Sequence, residues 1–322
     1  MYFLGFNWNP EGTLFKIGFI QIKYYNLLWI AAFVVGWFIM KRIFEREKKS
    51  MEKLDSLFIY TVVSIMLGAR LGHVFFYDWA YYKKHLLEIL LPIRESANST
   101  LFGFINGYEF TGFTGLASHG ATIAAIIGVW LYCRKWDDIG VVWLLDRLVI
   151  PSAIGACFVR IGNFFNSEIN GKIVDKSFFL ATRFIRDSDD MPLHKAIALT
   201  QEKTEQAAYN AIENNPEFID VLQSIPYRHP AQLYEGICYL FVFVILYLLY
   251  WKTNKGNKRG FLFGLFLALL FSVRFAVEFF KKSQGGFEEN LGLFSTGQWL
   301  SIPLIVLGIL FMYKPIPSTR YH

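Results

Sequence analysis

Charged side chains are scarce in this chain. Asp, Glu, Lys and Arg make up 18% of its 322 residues, whereas about 25% is typical of soluble globular domains. Hydrophobic residues reach 54%, and they fall in long runs and not in the short alternations of a soluble sheet. This composition excludes an ordinary soluble protein, including a soluble nucleic-acid binder, and indicates a protein whose solvent is the lipid bilayer.

Cysteine and several catalytic motifs are also rare or missing. Cys133, Cys157 and Cys238 lie in or beside apolar runs without a C-x-x-C pair, which argues against a disulfide framework or a thiolate metal site. Neither an H-E-x-x-H zinc motif nor a G-x-S-x-G nucleophile motif occurs. No internal repeat of the kind common in transporters is visible. A transporter and a non-catalytic lipid-binding scaffold nevertheless remain alternatives to an enzyme.

Seven apolar runs predict membrane-spanning helices, since about 20 residues cross a hydrocarbon core of ~30 Å. The third run is the shortest. The first is followed by Lys41-Arg42, the reverse of a signal peptide, so we expect it to remain as a membrane helix. The predicted fold class is an all-α polytopic membrane protein. The predicted spans are approximately 24–44, 56–77, 118–133, 140–160, 232–251, 260–280 and 297–313.

Basic residues are concentrated after the odd-numbered spans, which predicts that those loops, and the C-terminus, are cytoplasmic and the N-terminus periplasmic. The first predicted domain, 1–162, holds four spans and an interfacial arm at about 79–117, which we expect to be helical. Polar residues 163–228 are predicted to form a small extramembrane, periplasmic head with a helix at about 196–214. The last domain, 229–322, holds three spans and a cytoplasmic tail.

The predicted spans contain polar residues that are costly in lipid unless they face a cavity or a partner. Most lie in the outward half of the membrane, which favours a shared cavity. Arg274 and Glu278, four residues apart, also fit an intrahelical ion pair. Asp146-Arg147 fits a structural role and His73 a satisfied core histidine. The polar residues are Arg70, His73, His119, Asp146, Arg147, Arg160, Gln232, Tyr234, Glu235, Arg274, Glu278 and Gln298.

The strongest local signal is the segment 160–171, directly after the fourth predicted span. It combines a guanidinium, several amides and a carboxylate at the predicted membrane boundary. Arginine offers a planar fork of donors that suits phosphate, and asparagine can hold phosphate or glyceryl oxygens. A helix end followed by a turn would explain Gly162 and Gly171, but not the concentration of polar groups.

This segment, Arg160-x-Gly162-Asn163-Phe164-x-Asn166-x-Glu168-x-x-Gly171, resembles the signature of the prolipoprotein diacylglyceryl transferase family. The resemblance extends from about residue 20 to 312, with the other motifs in the family's order. Those motifs are Tyr24-Tyr25, Gly68-x-Arg70-x-Gly72, Ser118-His119-Gly120, Arg228-His229-Pro230-x-Gln232-Leu233-Tyr234-Glu235, Arg274-x-x-x-Glu278-Phe279-Phe280 and Gly297-Gln298-x-Leu300-Ser301-x-Pro303.

The resemblance implies seven transmembrane helices, an outward head and a site facing the periplasm in the bacterial inner membrane. It implies phosphatidylglycerol as donor and, as acceptor, the lipobox cysteine in the signal peptide of a prolipoprotein. A thioether-linked diacylglyceryl group forms and glycerol phosphate leaves. No metal, soluble cofactor or nucleic acid is implied. Asn26 and Ala121 stand where the family more often has glycine, but they remove no polar group that this chemistry needs.

His119, Arg160 and Arg274 are the predicted catalytic residues on the matching positions. The two arginines would hold the leaving phosphate. His119 is the candidate general base because imidazole titrates near neutral pH; alternatively, Arg160 lowers the thiol pKa enough that no base is needed. Glu278 is expected to fix Arg274. The predicted substrate-binding residues are Tyr25, Asn163, Asn166, Glu168, Gly171, Arg70, Glu235 and Glu278.

Overall fold

The computed structural model describes residues 5–17, 20–101, 104–111, 115, 117–282 and 294–314. The chain divides into two compact units. Unit 1 comprises Met1–Ile39 with Leu145–Ser318, and unit 2 comprises Met40–Leu144 with Thr319–His322. The predicted cytoplasmic tail beyond residue 314 lies outside the described residues.

Helices account for most of the described residues. Three short 3-10 turns, Pro216–Phe218, Asn254–Asn257 and Glu278–Phe280, join or extend them. The helices are α1 (Tyr24–Arg46), α2 (Met51–Phe76), α3 (Trp79–Tyr82), α4 (Leu87–Leu90), α5 (Ser118–Lys135), α6 (Val141–Phe165), α7 (Leu193–Thr200), α8 (Glu205–Asn214), α9 (Ile219–Ser224), α10 (Ala231–Lys252), α11 (Phe261–Val277) and α12 (Thr296–Tyr313).

Six strands, which the all-α prediction missed, form two-stranded sheets within the described residues. In unit 1, β1 pairs with β6 in parallel and β2 pairs with β3 antiparallel, while in unit 2 β4 pairs with β5 antiparallel. The strands are β1 (Phe6–Trp8), β2 (Thr13–Ile17), β3 (Ile20–Lys23), β4 (Ile93–Leu101), β5 (Ile105–Phe110) and β6 (Thr182–Phe184).

Six described helices are long and apolar enough to cross a membrane: α1, α2, α6, α10, α11 with its 3-10 extension, and α12. They correspond to six of the seven predicted spans and make the chain a polytopic membrane protein. The third predicted span folds as α5, but this helix has only 18 residues and includes His119, Arg134 and Lys135. These charged and polar ends lower its hydropathy, so it is not among the six.

Glycines bring the backbones of α2 and α5 together inside unit 2. A Cβ atom on Gly68 would lie 2.5 Å from the Gly120 carbonyl oxygen, and one on Gly72 would lie 2.8 Å from the Gly120 Cα. Any side chain at these positions would push the helices apart. The interpretation of Gly68-x-x-x-Gly72 as a helix-packing face is confirmed.

The predicted helical arm at 79–117 is wrong over most of its length. Only α3 and α4 are helical, and Ile93–Leu101 and Ile105–Phe110 form an antiparallel hairpin. In the second strand Ile105, Tyr108 and Phe110 favour a pleated sheet over a helix, whereas the first strand contains only Ile93 and Thr100 of these residue types. Gly107 adopts a φ of 86°, which a residue with a Cβ rarely tolerates. Residues 102–103, 112–114 and 116 of this segment lie outside the description.

The head region contains two helices where one was predicted at 196–214. Gln201 turns into the left-handed region with a φ of 58° and ends α7. Thr204 then starts α8, because its side-chain oxygen accepts a hydrogen bond from the Ala207 N–H at 3.2 Å. The turn lets both helices share one core, whose fully buried members are Ile185, Met191, Ala196, Ala208 and Ile212.

Asp146, buried completely within α6, caps the start of α11. Its carboxylate oxygens accept the backbone N–H groups of Gly260 at 2.7 Å and Phe263 at 2.9 Å. The first N–H groups of a helix have no partner inside it, and a carboxylate there also interacts favourably with the helix dipole. The structural interpretation of Asp146 is therefore confirmed.

We predict that Asp146→Ala destabilises the folded chain by about 2 kcal/mol, because it leaves the N–H groups of α11 without an acceptor. Thermal unfolding in detergent, compared with wild type, measures this. The matched control is Asp137→Ala, since Asp137 is exposed. Equal melting temperatures for the two variants would contradict the capping role.

Candidate active site

Arg160 and Asn163 lie on the last turns of α6, which continues to Phe165 and not to about 160 as predicted. Gly162 therefore lies inside the helix and does not end it. Its missing side chain instead leaves room for the ring of Tyr25, since a Cβ on Gly162 would lie 2.7 Å from Tyr25 Cδ2. The Arg160 Nη1 group donates to Asn163 Oδ1 at 3.4 Å. The helix end thus holds a guanidinium, an amide and a phenol ring side by side.

The carboxylate of Glu168 gathers the asparagines of this segment. Asn163 Nδ2 donates to Glu168 Oε2 and Asn166 Nδ2 donates to Glu168 Oε1, both at 3.1 Å. The carboxylate therefore fixes both amides, and their carbonyl oxygens point away from it. The predicted binding residues of this segment form one connected group, with Asn163 buried and Glu168 exposed.

Glu235 is fully buried at the start of α10 and carries a positive group on each oxygen. Arg160 Nε lies 2.7 Å from Oε2, and Lys281 Nζ lies 3.0 Å from Oε1. The Tyr239 hydroxyl also donates to Oε1, at 3.2 Å. Breaking such a buried ion pair typically costs about 3–5 kcal/mol, so the contact anchors Arg160 firmly.

Glu278 does not pair with Arg274, so the expected intrahelical ion pair is absent from the described part of the chain. The nearest cation to Glu278 is Lys281, whose Nζ lies 3.6 Å from Oε2. Glu278 also packs against Gly297, where a Cβ would lie 2.7 Å from Oε1. The Arg274 guanidinium makes no ion pair within the described ranges.

Lys281 belongs to the same buried cluster, although it is not among the predicted site residues. Its side chain is 5% exposed. Burial lowers the pKa of Lys281, while the negative charge of Glu235 opposes this shift. The available signal was its position, since residues 274, 278 and 281 share one face at helical spacing.

The loop 166–171 is strained and held from several sides. Ser167 and Ile169 have φ values of 55° and 60°, and this region is costly for a β-branched residue such as isoleucine. Asn170 Nδ2 donates to the Ser167 carbonyl oxygen at 2.8 Å. Gln232 Nε2 donates to Asn170 Oδ1 at 2.6 Å and to the Glu168 carbonyl oxygen at 2.5 Å. These buried amides stabilise a backbone shape that the sequence alone would not favour.

Gly171 lies where two backbones meet. A Cβ on it would lie 2.5 Å from the His229 carbonyl oxygen and 2.7 Å from the Phe280 carbonyl oxygen. Arg228 holds this point, since Nη1 donates to the Gly171 carbonyl oxygen at 3.2 Å. The same guanidinium makes two 2.7 Å hydrogen bonds to Asp190 in the head. Gly171 is therefore required for close approach and offers no side chain to a substrate.

Arg70 and His119 belong to unit 2. Arg70 is buried, and its guanidinium donates to the carbonyl oxygens of Glu88 and Ile89, the latter at 3.0 Å, and to the Tyr82 hydroxyl at 3.2 Å. These contacts attach the arm to α2. A direct role of Arg70 in substrate binding stays a prediction. His119 is exposed on the first turn of α5.

One group among the described residues has the spacing of a metal site. Ligand atoms of His85, Glu88 and Glu95 lie within 4.8 Å of one another in the arm. However, both oxygens of Glu88 already accept hydrogen bonds, from the Tyr81 hydroxyl at 2.9 Å and from the Glu95 N–H at 2.8 Å. These three residues therefore contact other parts of the arm, and we assign no metal to them.

A family model described as prolipoprotein diacylglyceryl transferase matches residues 12–314 of the chain. The chain belongs to the prolipoprotein diacylglyceryl transferase family. The match covers almost the whole sequence and includes every predicted site residue. The resemblance inferred from the motifs is confirmed. Membership makes the chain an enzyme, a diacylglyceryl transferase, so the transporter and scaffold alternatives are set aside.

Curated relatives named phosphatidylglycerol–prolipoprotein diacylglyceryl transferase share this length. The protein of Bacteroides fragilis is 37% identical over 310 residues, which cover 96% of this chain and 95% of the relative. That of Tolumonas auensis is 35% identical over 305 residues, covering 95% of each. That of Porphyromonas gingivalis is 33% identical over 317 residues, covering 97% of this chain and 95% of the relative. The transferase family therefore aligns with both units of the chain.

We predict that Arg70→Met loosens the arm, because the carbonyl groups of residues 88 and 89 lose their buried donors. Amide hydrogen exchange across 86–96 is expected to accelerate by at least about tenfold, the equivalent of one lost hydrogen bond. Lys84→Met, an exposed change on the same arm, is the control and should leave exchange unchanged. Unaltered exchange in Arg70→Met would refute the attachment.

Proposed function

We propose that this transferase moves the diacylglyceryl group of phosphatidylglycerol onto the lipobox cysteine thiol of prolipoproteins, the first step of bacterial lipoprotein maturation. The cysteine sulfur attacks the glyceryl carbon that carries the phosphate ester. A C–S thioether bond forms, the C–O bond breaks, and glycerol phosphate leaves with the bonding electron pair. The thiol proton passes to a base.

The observation that carries this proposal is the anchored guanidinium of Arg160 in a chain of this family. Arg160 forms an ion pair with Glu235, with Nε 2.7 Å from Oε2, and its Nη1 group donates a hydrogen bond to Asn163 Oδ1. Its Nη2 group makes no hydrogen bond to any described residue. A fixed arginine with a free donor edge suits a phosphate that gains charge as it leaves, and such stabilisation is often the largest catalytic term. We assign Arg274 as the second phosphate ligand.

The neighbouring polar groups would orient the donor headgroup. We propose that Asn163 and Asn166, whose amide groups are held by Glu168, present oxygen acceptors to the glycerol hydroxyls. Tyr25, whose ring packs against Gly162, would border the headgroup on the same side as Asn163. Preorganised groups of this kind lower the barrier because they do not have to rearrange during the reaction.

We also propose the finer topology, with α5 as a seventh span. Its 18 residues give a length of about 27 Å, close to the ~30 Å hydrocarbon core. Its glycine contacts with α2, a candidate span, support this placement. The head would then face the periplasm, the N-terminus would lie outside and the C-terminus inside the inner membrane. Residues 79–117 would rest on the lipid surface as the arm.

Arg160→Ala and Arg274→Ala should each lower transfer by about 10²-fold or more, because the leaving phosphate loses a fixed positive charge. The measurement is transfer of radiolabelled diacylglyceryl from phosphatidylglycerol to a synthetic lipobox peptide by purified protein in detergent. Arg259→Ala, at an exposed position, is the control. Label transferred by all the variants would remove the arginines from the site. A folded wild type that transfers no label would refute the function.

His119→Gln tests the base. If His119 removes the thiol proton, activity falls at neutral pH and recovers at high pH, because a cysteine thiol with a pKa of about 8.5 then ionises unaided. The pH dependence of kcat/KM measures this. His194→Gln, at an exposed position of the head, should behave as wild type. Near-normal activity of His119→Gln at neutral pH would assign thiol ionisation to Arg160 alone.

A further inference from the structure

Lys281 is a buried lysine with two acidic neighbours. Lysine is rarely buried unless it is paired, and here Nζ lies 3.0 Å from Glu235 Oε1 and 3.6 Å from Glu278 Oε2. Arg160 contacts the other oxygen of Glu235. One carboxylate on α10 therefore connects Arg160 on α6 with Lys281, which follows the 3-10 turn after α11.

The backbone around Lys281 is fixed by the loop that carries Gly171. Residues 171 and 281 form an antiparallel bridge. The Lys172 N–H donates to the Phe280 carbonyl oxygen at 2.8 Å, and the Lys282 N–H donates to the Asn170 carbonyl oxygen at 3.3 Å. The position of the lysine side chain is therefore set by the same loop that borders the candidate active site.

Arg160 and Lys281 are the two cations that contact Glu235 directly, one on each carboxylate oxygen. Without the lysine, Glu235 would have one cation and Glu278 would lose its nearest one. Buried charges are poorly screened, so the Glu235 oxygen that has lost its cation would draw the Arg160 guanidinium towards the carboxylate. The donors that Arg160 now leaves free would then turn away from a substrate.

We propose that Lys281 is a positioning residue that neutralises Glu235 and thereby keeps the free donor edge of Arg160 available to the phosphate of the lipid donor. Lys281 itself contacts neither the donor nor the thiol. This inference rests on the proposed function, because it assigns the phosphate to Arg160. It separates the two cations on Glu235 by role: one binds substrate, and the other holds the carboxylate.

The test compares Lys281→Met and Lys281→Arg with wild type, as full-length protein in detergent. Initial rates are measured against phosphatidylglycerol and against a lipobox peptide, and are expressed per folded molecule from size-exclusion chromatography. For Lys281→Met, kcat/KM for phosphatidylglycerol should fall at least about tenfold with a raised KM for that lipid, while the peptide KM stays unchanged. Lys281→Arg keeps the charge and should stay within about threefold of wild type.

Lys282→Met is the matched control, because Lys282 is adjacent, 42% exposed and paired with Asp189 on the surface. It should transfer lipid as wild type does. The proposal is overturned if Lys281→Met keeps its kcat/KM, or if both Lys281 variants lose activity only through loss of folded protein with an unchanged KM for the lipid. A folded wild type without transfer would overturn the proposed function and this inference together, whereas an active wild type with normal Lys281→Met overturns this inference alone.

Discussion

The structure of unit 1 depends on one buried carboxylate, that of Glu235. A charge removed from water must be paired, and Arg160 and Lys281 satisfy it from two different segments. This requirement brings the end of α6, the start of α10 and the end of α11 together at a single point. The same pairing decides what Arg160 can do, because a guanidinium anchored by one nitrogen presents its other donors in a fixed direction. Under the proposed function, one contact therefore serves both the stability of unit 1 and the chemistry of the site.

The head and the loop 166–171 form the second constraint on the site. The left-handed backbone at Ser167 and Ile169 persists because buried amides of Asn170 and Gln232 satisfy the carbonyl groups around it. Arg228 ties this loop to the head through Asp190. The N-terminal strand β1 adds a contact from the other side, where the Trp8 indole N–H donates to the Phe164 carbonyl oxygen at 2.9 Å. The head therefore helps to fix the shape of the loop 166–171.

Much of this was predictable from the chain itself. Long apolar runs identified the membrane helices, because the thickness of a bilayer sets both their length and composition. The Gly68-x-x-x-Gly72 pattern identified a packing face, and the motif at 160–171 identified the family. Family membership is a property of the residues in order, and needs no coordinates. The arm and the single helix of the head were predicted wrongly, because their strands and turns depend on local backbone conformations that amphipathic patterns do not encode.

The sequence by itself determined that the chain is a helical membrane protein of one transferase family and which polar residues its motifs contain. Only the tertiary structure decided how those residues are paired. The spacing of Arg274 and Glu278 suggested an ion pair, but the nearest described cation to Glu278 is Lys281, 3.6 Å away and directly after the 3-10 turn Glu278–Phe280. Partners of buried charges come from elements far apart in the chain, and the free energy of pairing is set by distance in space, which linear spacing does not specify.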